Sequence, residues 1–288
     1  MKSLNTKLAL GTVQIGLDYG ISNETGKINT NDAFSILNFA LKNGIDLLDT
    51  ASAYGNSESI IGAFVNTKEF RIVSKIPSKF KSIDDEFAKS LNSMGVDSLY
   101  GYMYHDFDSF ASNKDSYSDL LKLRRKGLVK KLGFSVYYPW QIQYLFDNNI
   151  EFDIVQLPYS IFDRRFEYVL SKLKNNGVEI HVRSVFLQGL FFKDVETLDP
   201  FFESIKGTLE GVQELACSNN IAVASLCLNY CLSNQFIDKV VIGVDSLANL
   251  KMNVDLLADY SKVEKLKSNL DLLKIEDENI LLPFNWEL

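Results

Sequence analysis

The chain alternates short apolar runs with longer segments in which apolar residues recur at helical spacing. Eight runs have the length and composition of strands, at residues 8–12, 45–50, 70–75, 99–105, 131–136, 152–158, 178–184 and 239–243. Most are apolar along their length instead of alternating with polar residues, which is typical of strands in a sheet covered on both faces. The pattern therefore predicts eight buried strands.

The segments between these runs have recognisable helix ends. In residues 30–44, "TNDAFSILNFALKNG", we expect Thr30 or Asn31 to cap the first turn. Gly44 is expected to end that helix in the left-handed conformation. Similar helical segments follow the other strands, and residues 221–234 predict an additional helix before the last strand.

Alternation of strand and helix through short connections favours an α/β fold, a closed (β/α)8 TIM barrel. We expect an N-terminal extension and a C-terminal tail over the barrel mouth. An open, doubly wound sheet is the alternative, but "GTVQIGLDYG" (11–20) after the first strand lacks the G-x-G-x-x-G pattern. The 288 residues suit one barrel and contain no linker, so a single domain over residues 1–288 is expected.

Composition narrows the class of function. Hydrophobic residues make up 46% and charged residues 23%, as in ordinary globular proteins, and the net charge of −7 disfavours nucleic-acid binding. We interpret the basic stretch "RRKGLVKK" (124–131) as a solvated helix end and turn. The N-terminal residues lack the apolar segment of a signal peptide and no run is long enough to span a membrane, so a cytoplasmic location is expected.

The three cysteines are Cys217, Cys227 and Cys231. An odd number in a chain of this size indicates reduced thiols instead of a disulfide framework. Cys227 and Cys231 are one helical turn apart, but the chain has only 2 histidines and neither lies near them in sequence. Buried packing is therefore favoured over metal binding.

In a TIM barrel, polar residues at the carboxyl ends of the strands face the active-site mouth. Applied to the predicted strands, this rule selects a set of candidate residues: Asp49, Lys75, His105, Ser135, Gln156, Arg183 and Ser184, with Tyr54 in the loop after Asp49. Each has an ordinary structural explanation when taken alone. Together they bring acid, base and hydrogen-bonding groups to one end of the fold.

Four of these residues are suited to act together in one proton transfer. A tyrosine has a pKa of about 10, and a nearby ammonium favours its phenolate form. Lys75 is placed to act on Tyr54 in this way, and Asp49 to keep the lysine charged and oriented. The imidazole of His105 is then suited to orient a carbonyl oxygen while the phenol delivers a proton to it.

The stretches "LLDTASAYGNSE" (47–58), "RIVSK" (71–75) and "YMYHDFD" (102–108) resemble the aldo-keto reductases, which carry Asp, Tyr, Lys and His in this order. The resemblance runs from "LALGT" to "VVIGVDSLANLKMNV". It implies hydride transfer between NADPH or NADH and an aldehyde or ketone, without a metal. It assigns Tyr54 as general acid/base, Lys75 as its pKa partner, Asp49 as the orienter of Lys75, and His105 as the group that aligns the carbonyl.

The resemblance also implies contacts at the nicotinamide end of the cofactor. Ser135 and Gln156 match positions that hold the carboxamide, although the Asn that often follows the serine is Val136 here. Arg183 stands where many members stack an aromatic ring on the nicotinamide. Gly11 and Thr12 match the contact near the nicotinamide ribose, and Ser184, with the loop after it, matches the approach to the pyrophosphate.

At the adenosine end, the matching segment is "IGVDSLANLKMN" (242–253), which begins around Gly243. Ser246 is expected to cap a helix whose free N–H groups suit an anion. Asn253 matches an adenine contact. Where NADPH-preferring members commonly carry Arg, this chain has Asn249, and Asp245 adds a negative charge. Dual or NADH-leaning use is therefore expected.

The substrate is expected to be a small carbonyl compound, with the protein working as a monomer or small homo-oligomer. Loop aromatic residues mixed with polar ones suit a polyol or sugar as well as plain loop packing, and they are Tyr19, Phe107, Tyr137, Tyr138, Trp140 and Trp286. "LGTVQIGLDYGISN" (10–23) is similar to bacterial members of sugar and surface-polysaccharide metabolism. Two alternatives remain open: a nucleotide-binding regulatory barrel with little turnover, and a barrel lyase or isomerase without nicotinamide.

Overall fold

The computed structural model describes residues 2–20 and 26–286 of the chain. Its strands are β1 Leu8–Gly11, β2 Leu47–Asp49, β3 Arg71–Ile76, β4 Leu99–Tyr104, β5 Val129–Ser135, β6 Ile154–Pro158, β7 Glu179–Arg183 and β8 Lys239–Gly243. Each strand pairs in parallel with the next, and β8 pairs with β1, which closes the barrel. The (β/α)8 prediction is confirmed, and the predicted strand ends differ from the observed ones by at most two residues.

The α-helices are α1 Lys2–Asn5, α2 Val13–Gly16, α3 Thr30–Lys42, α4 Ser57–Ala63, α5 Ile83–Met94, α6 Phe107–Ser112, α7 Tyr117–Arg125, α8 Pro139–Asp147, α9 Glu167–Asn175, α10 Lys206–Ser218, α11 Val223–Ser233, α12 Leu247–Asp255, α13 Tyr260–Lys265, α14 Lys267–Leu270 and α15 Glu278–Leu281. Short 3₁₀ helices lie at Thr67–Glu69, Lys114–Ser116, Leu187–Phe192, Val195–Thr197, Pro200–Ile205, Leu256–Asp259 and Pro283–Asn285. The additional helix predicted before the last strand is α11.

Helix α3 shows how the local sequence sets a boundary. Its cap is Asn29, whose side chain accepts from the backbone N–H of Asp32 at 3.0 Å, so the prediction of Thr30 or Asn31 was wrong by one or two residues. An amide oxygen three residues before a free N–H satisfies the first turn as well as a hydroxyl does. The glycine after the helix, Gly44, has φ +78° as predicted.

The strands are buried on both faces. Inside the barrel, a small apolar cluster contains Ala9, Leu47, Val73, Met103 and Ile154. The opposite faces of the strands pack against the helices in one large cluster. Apolar side chains fill the middle of the barrel and leave the polar ends of the strands to form the mouth.

The first and last described segments of the chain lie at opposite ends of the barrel. Near the amino ends of the strands, Asn5 donates its side-chain amide to the carbonyl of Asn43 at 2.9 Å. Near the carboxyl ends, Pro283 and Phe284 of the C-terminal tail line the mouth. The expected N-terminal extension and mouth-covering tail are therefore both present.

Two of the five basic residues in the stretch 124–131 pair with carboxylates. Arg124 pairs with Glu151 and Asp153 at 2.9 and 3.0 Å, and Lys131 pairs with Glu179. The stretch contains the end of α7 and a turn, as predicted, but its last three residues belong to β5.

The thiols of Cys227 and Cys231 are free and fully buried in α11, whereas Cys217 is exposed. Burial raises the pKa of both buried thiols, as expected of packed side chains.

Within residues 2–20 and 26–286, no single helix is long and apolar enough to cross a membrane. Pro200–Ser218 and Val223–Ser233 reach that length and hydropathy only when counted together across a bend of 96°.

Candidate active site

A cavity of about 950 Å³ opens at the carboxyl ends of the strands. This volume lies near the upper end of the range for small-molecule and cofactor sites, about 300–1,000 Å³. All but two of the predicted site residues line it. The exceptions are Lys75, which lies fully buried behind the wall, and Ser246, which caps a helix at the rim.

Asp49 and Lys75 form a buried ion pair at the base of the cavity. The Lys75 Nζ donates to Asp49 Oδ2 at 2.7 Å and to the carbonyl of Thr50 at 3.0 Å. Burial opposes the charge on Lys75, but Asp49 and Tyr54 outweigh it and raise the pKa of the lysine. Lys75 is therefore an ammonium at neutral pH.

Tyr54 lies next to this ammonium, with Lys75 Nζ 5.2 Å from the centroid of its ring. Burial raises the pKa of Tyr54 by more than the charge of Lys75 lowers it. The predicted neighbour is confirmed, but the net effect on the phenol is opposite to the expected phenolate-favouring shift. At neutral pH Tyr54 keeps its proton and faces the cavity as an acid.

His105 stands edge-on to Tyr54, with ring centroids 5.6 Å apart and planes at 84°. Burial, assisted by the charge of Lys75, lowers the pKa of His105 to about 4. The imidazole is therefore neutral at pH 7 and can donate a hydrogen bond without adding a charge.

The neutral state of His105 leads to a pH prediction. The unfolded state binds a proton at His105 below about pH 6.5 and the folded state only below about pH 4, so this residue makes the protein less stable as pH falls through that window. His105→Gln should remove this dependence, which is worth about 1–2 kcal/mol at pH 5. Thermal unfolding of both proteins at pH 7 and pH 5 measures it. An equal loss of stability in the two proteins on acidification would contradict the lowered pKa.

Two glycines hold the Tyr54 loop in place, and the sequence analysis missed both. A Cβ on Gly16 would lie 1.7 Å from the backbone oxygen of Tyr54, and one on Gly55 would lie 2.5 Å from the oxygen of Gly16. Gly55 also has φ +56°, which side chains disfavour. The Tyr-Gly sequence was a turn signal, but the contact with Gly16 required the tertiary structure.

Asp49 has a second partner that the sequence did not reveal. The Gln156 side chain donates from Nε2 to Asp49 Oδ1 at 2.6 Å, so both carboxylate oxygens are engaged. Gln156 was predicted to hold the nicotinamide carboxamide, and it does line the cavity. It also fixes the orientation of the carboxylate that binds Lys75.

The glutamate of the "YGNSE" signature, Glu58, lies outside the cavity. It is buried, and Ser74 donates to its Oε1 at 2.6 Å. Burial raises the pKa of this carboxyl. Because Ser74 precedes Lys75 in β3, this bond ties helix α4 to the strand that carries the lysine.

Next to this cluster, Thr12, Ser135 and Arg183 form part of the wall. The hydroxyl of Thr12 is engaged inside the protein, donating to the carbonyl of Asp49 at 3.1 Å. Arg183 lies over the ring of Tyr137 with its Cζ 4.1 Å from the ring centroid.

The loop after β7 has an unusual backbone. Ser184, Leu187 and Gln188 have φ values of 63°, 44° and 51°, a region that non-glycine residues rarely adopt. Such conformations cost roughly 1–3 kcal/mol each and cluster at ligand sites. All three residues line the cavity, where the sequence predicted the approach to the pyrophosphate.

At the start of α12, Ser246 accepts from the backbone N–H of Asn249 at 3.1 Å, which confirms the predicted cap. The Asn249 amide also donates to Asp245 Oδ1 at 2.6 Å. The position that would hold a cation in an NADPH-preferring relative is therefore occupied by an amide tied to a carboxylate.

The polar groups of this wall fit a dinucleotide. A Cβ on Gly243 would lie 2.7 Å from Gln14 Nε2, so a larger residue there would displace the Gln14 side chain. Gln14 Oε1 is buried and has no hydrogen-bond partner within the described part of the chain. A buried acceptor without a donor in a cavity wall fits a ligand hydroxyl or amide. No motif in the sequence had indicated Gln14 as a site residue.

The aromatic residues at the mouth differ partly from those predicted. Tyr19 and Tyr137 line the cavity, but Phe107 is buried in the core, and Tyr138 and Trp140 are outside the lining. Trp286 packs on Phe202 and donates to the carbonyl of Ile280. The places expected for them are taken by Leu17, Phe192 and Phe284, which are exposed and line the opening. Part of the stretch 10–23, which holds Tyr19, lies outside the described residues.

A closed (β/α)8 barrel with Asp, Tyr, Lys and His near its mouth and a cofactor-sized cavity beside them is the arrangement expected of a barrel oxidoreductase. The sequence profile of the Aldo/keto reductase family matches residues 7–269. The chain therefore belongs to the aldo/keto reductase family, whose members use nicotinamide cofactors and act on small-molecule carbonyl compounds.

Relatives within the family are distant. The NADH-specific methylglyoxal reductase of Escherichia coli (strain K12) is 29% identical over 216 residues, 64% of this chain and 65% of that protein. The L-galactose dehydrogenase of Arabidopsis thaliana is 23% identical over 302 residues, 97% of this chain and 93% of that protein. An aldo-keto reductase of Bacillus halodurans, solved in its holo form, has the same fold, with TM-score 0.78, 20% identity and 95% coverage of both chains.

Proposed function

We propose that the protein reduces an aldehyde or ketone to the alcohol, or catalyses the reverse, with Tyr54 as the general acid/base. The observation that carries this proposal is the neutral phenol of Tyr54 beside an ammonium that is itself held by Asp49. A reduced nicotinamide, when bound, supplies the hydride. Ser135 and Gln156 would hold its carboxamide, and the loop from Ser184 and the start of α12 its phosphates.

The chain's own residues manage the proton. As hydride reaches the carbonyl carbon, negative charge develops on the carbonyl oxygen, and Tyr54 gives it a proton. Lys75 stabilises the phenolate that remains, because it is an ammonium held 5.2 Å from the ring centroid. His105, neutral and lining the same cavity as Tyr54, donates a hydrogen bond that orients the oxygen.

A panel of aldehydes, ketones and sugars assayed with NADH and NADPH tests this proposal directly. Reduction of at least one carbonyl class, with consumption of the reduced cofactor, is expected. Failure to bind any nicotinamide dinucleotide would instead favour a barrel lyase or isomerase.

The substrate we favour is a sugar or sugar-derived carbonyl. Tyr19, Tyr137 and Phe284 line the opening, and aromatic faces beside hydroxyl and amide groups suit the alternating apolar and polar faces of a sugar. The name of the Arabidopsis relative, L-galactose dehydrogenase, agrees with this choice.

Cofactor preference is predicted from the contact between Asn249 and Asp245. A 2′-phosphate there would meet a carboxylate and no arginine, so NADH should bind at least about tenfold more tightly than NADPH. Asp245→Asn/Asn249→Arg should shift the ratio by about 10- to 100-fold towards NADPH, the range for hydrogen bonds to charged groups. Michaelis constants for both cofactors measure the shift.

Asp245→Asn alone is the matched control, because it removes the repulsion without adding the arginine. A smaller shift than in the double variant is expected. A native protein that prefers NADPH by orders of magnitude would overturn the prediction. The name of the Escherichia coli relative, an NADH-specific reductase, supports it.

A further inference from the structure

Arg183 is the one cationic side chain among the described residues that line the cavity. The acidic residues of the same wall are engaged elsewhere: Asp49 binds Lys75, and Asp245 accepts from Asn249. The charge of the guanidinium is therefore a separate feature of the site, outside the Asp49, Lys75 and Tyr54 cluster.

The contacts of Arg183 leave its charge unpaired. Its NH2 group donates to the carbonyl of Val136 at 3.0 Å and NH1 to Ser184 Oγ at 3.4 Å. One face of the guanidinium lies over the Tyr137 ring, 4.1 Å from its centroid. No carboxylate in residues 2–20 or 26–286 forms an ion pair with it.

The register of β6 and β7 places Arg183 above the predicted carboxamide site. Gln156 is opposite His181, and Pro158 is opposite Arg183, so Arg183 lies one inward-facing position closer to the mouth than Gln156 does. After burial and Lys75, Arg183 is one of the charges that lower the pKa of His105. Its field therefore reaches the reacting end of the cavity.

We propose that the charge of Arg183 makes the site bind reduced nicotinamide more tightly than the oxidised form. This inference rests on the proposed nicotinamide site. The reduced ring is neutral and electron-rich, and the ring that has given up its hydride carries one positive charge. A guanidinium over the ring attracts the first as a cation–π partner and repels the second.

The two forms have the same riboses and pyrophosphate, so any phosphate contact of Arg183 cancels in the ratio of their affinities. The remaining difference in affinity between the reduced and the oxidised cofactor bears on the direction in which the enzyme turns over. Tight binding of the reduced cofactor and easy release of the oxidised one favour cofactor loading and product release during carbonyl reduction, while the overall equilibrium of the reaction is unchanged. The charge of Arg183 thereby suits turnover in the reductive direction.

Calorimetric titration of the whole protein with NADH, NAD⁺ and ADP-ribose tests the proposal, with NADPH and NADP⁺ run in parallel. In the native protein, the Kd for the oxidised form should exceed that for the reduced form by at least about tenfold, a difference of about 1.4 kcal/mol. Arg183→Gln should lower this ratio about tenfold, whereas Arg183→Lys, which keeps the charge, should preserve most of it. Arg125→Gln, at the exposed end of α7, should leave it unchanged.

ADP-ribose lacks the nicotinamide ring, so its affinity shows whether Arg183 acts on the ring or on the rest of the dinucleotide. Its affinity should be nearly unchanged in Arg183→Gln, which also shows that the variant is folded. The inference is overturned if the ratio stays the same in this variant, or if ADP-ribose binding falls as much as NADH binding. If native protein binds none of the dinucleotides, the proposed function itself fails.

Discussion

Tyr54→Phe is expected to lower kcat for carbonyl reduction by about 10²–10⁴-fold, the contribution of a general acid. The variant keeps the ring that packs against His105 at 5.6 Å and loses only the hydroxyl that carries the proton. Binding of NADH, followed by quenching of its fluorescence, should be unchanged because the ring and its packing against His105 are kept. Stopped-flow measurement of hydride transfer separates the chemical step from product release.

Tyr168→Phe, at a side chain that is 72% exposed, is the matched control and should keep native activity. If Tyr54→Phe turned over at more than about a tenth of the native rate, the proton donor would have to be another group. If native protein bound NADH but reduced no carbonyl in the panel, the regulatory barrel would become the better description.

The position of the candidate site was predictable because strand ends converge in a barrel whatever the loops do. Asp49 and Ser135 close their strands, and His105 directly follows β4. An apolar run ending in a polar residue is visible in the sequence, and parallel closure brings these ends to one mouth. The predicted residues on strands therefore lie together at the cavity, and their roles stay predictions.

Features that depend on loop packing or burial were not predictable. Phe107 lies shortly after β4 and Phe284 lies in the C-terminal tail. Both are aromatic, yet Phe107 is in the core and Phe284 lines the opening. The direction of the Tyr54 pKa shift is set by a balance between burial and the charge of Lys75. The sequence identifies Lys75 as the charged neighbour of Tyr54, but how deeply the phenol of Tyr54 is buried depends on the folded chain.

Lys75→Met should reduce both activity and stability. The ammonium that stabilises the Tyr54 phenolate is lost, so kcat should fall by about 10²–10⁴-fold. Asp49, only 3% exposed, would keep Gln156 as a side-chain partner but lose its counter-charge. Breaking a buried ion pair from one side costs about 3–5 kcal/mol, which chemical denaturation would measure.

The double variant Asp49→Asn/Lys75→Met separates these two effects. A neutral amide at position 49 no longer needs a counter-charge, so most of the lost stability should return, because replacing both members of a buried pair is often neutral. Activity should stay as low as in Lys75→Met, since the phenolate still lacks its ammonium. Recovery of activity together with stability would mean that the pair serves the fold alone. Stability without activity would show that the same 2.7 Å contact holds the charge on which proton transfer from Tyr54 depends.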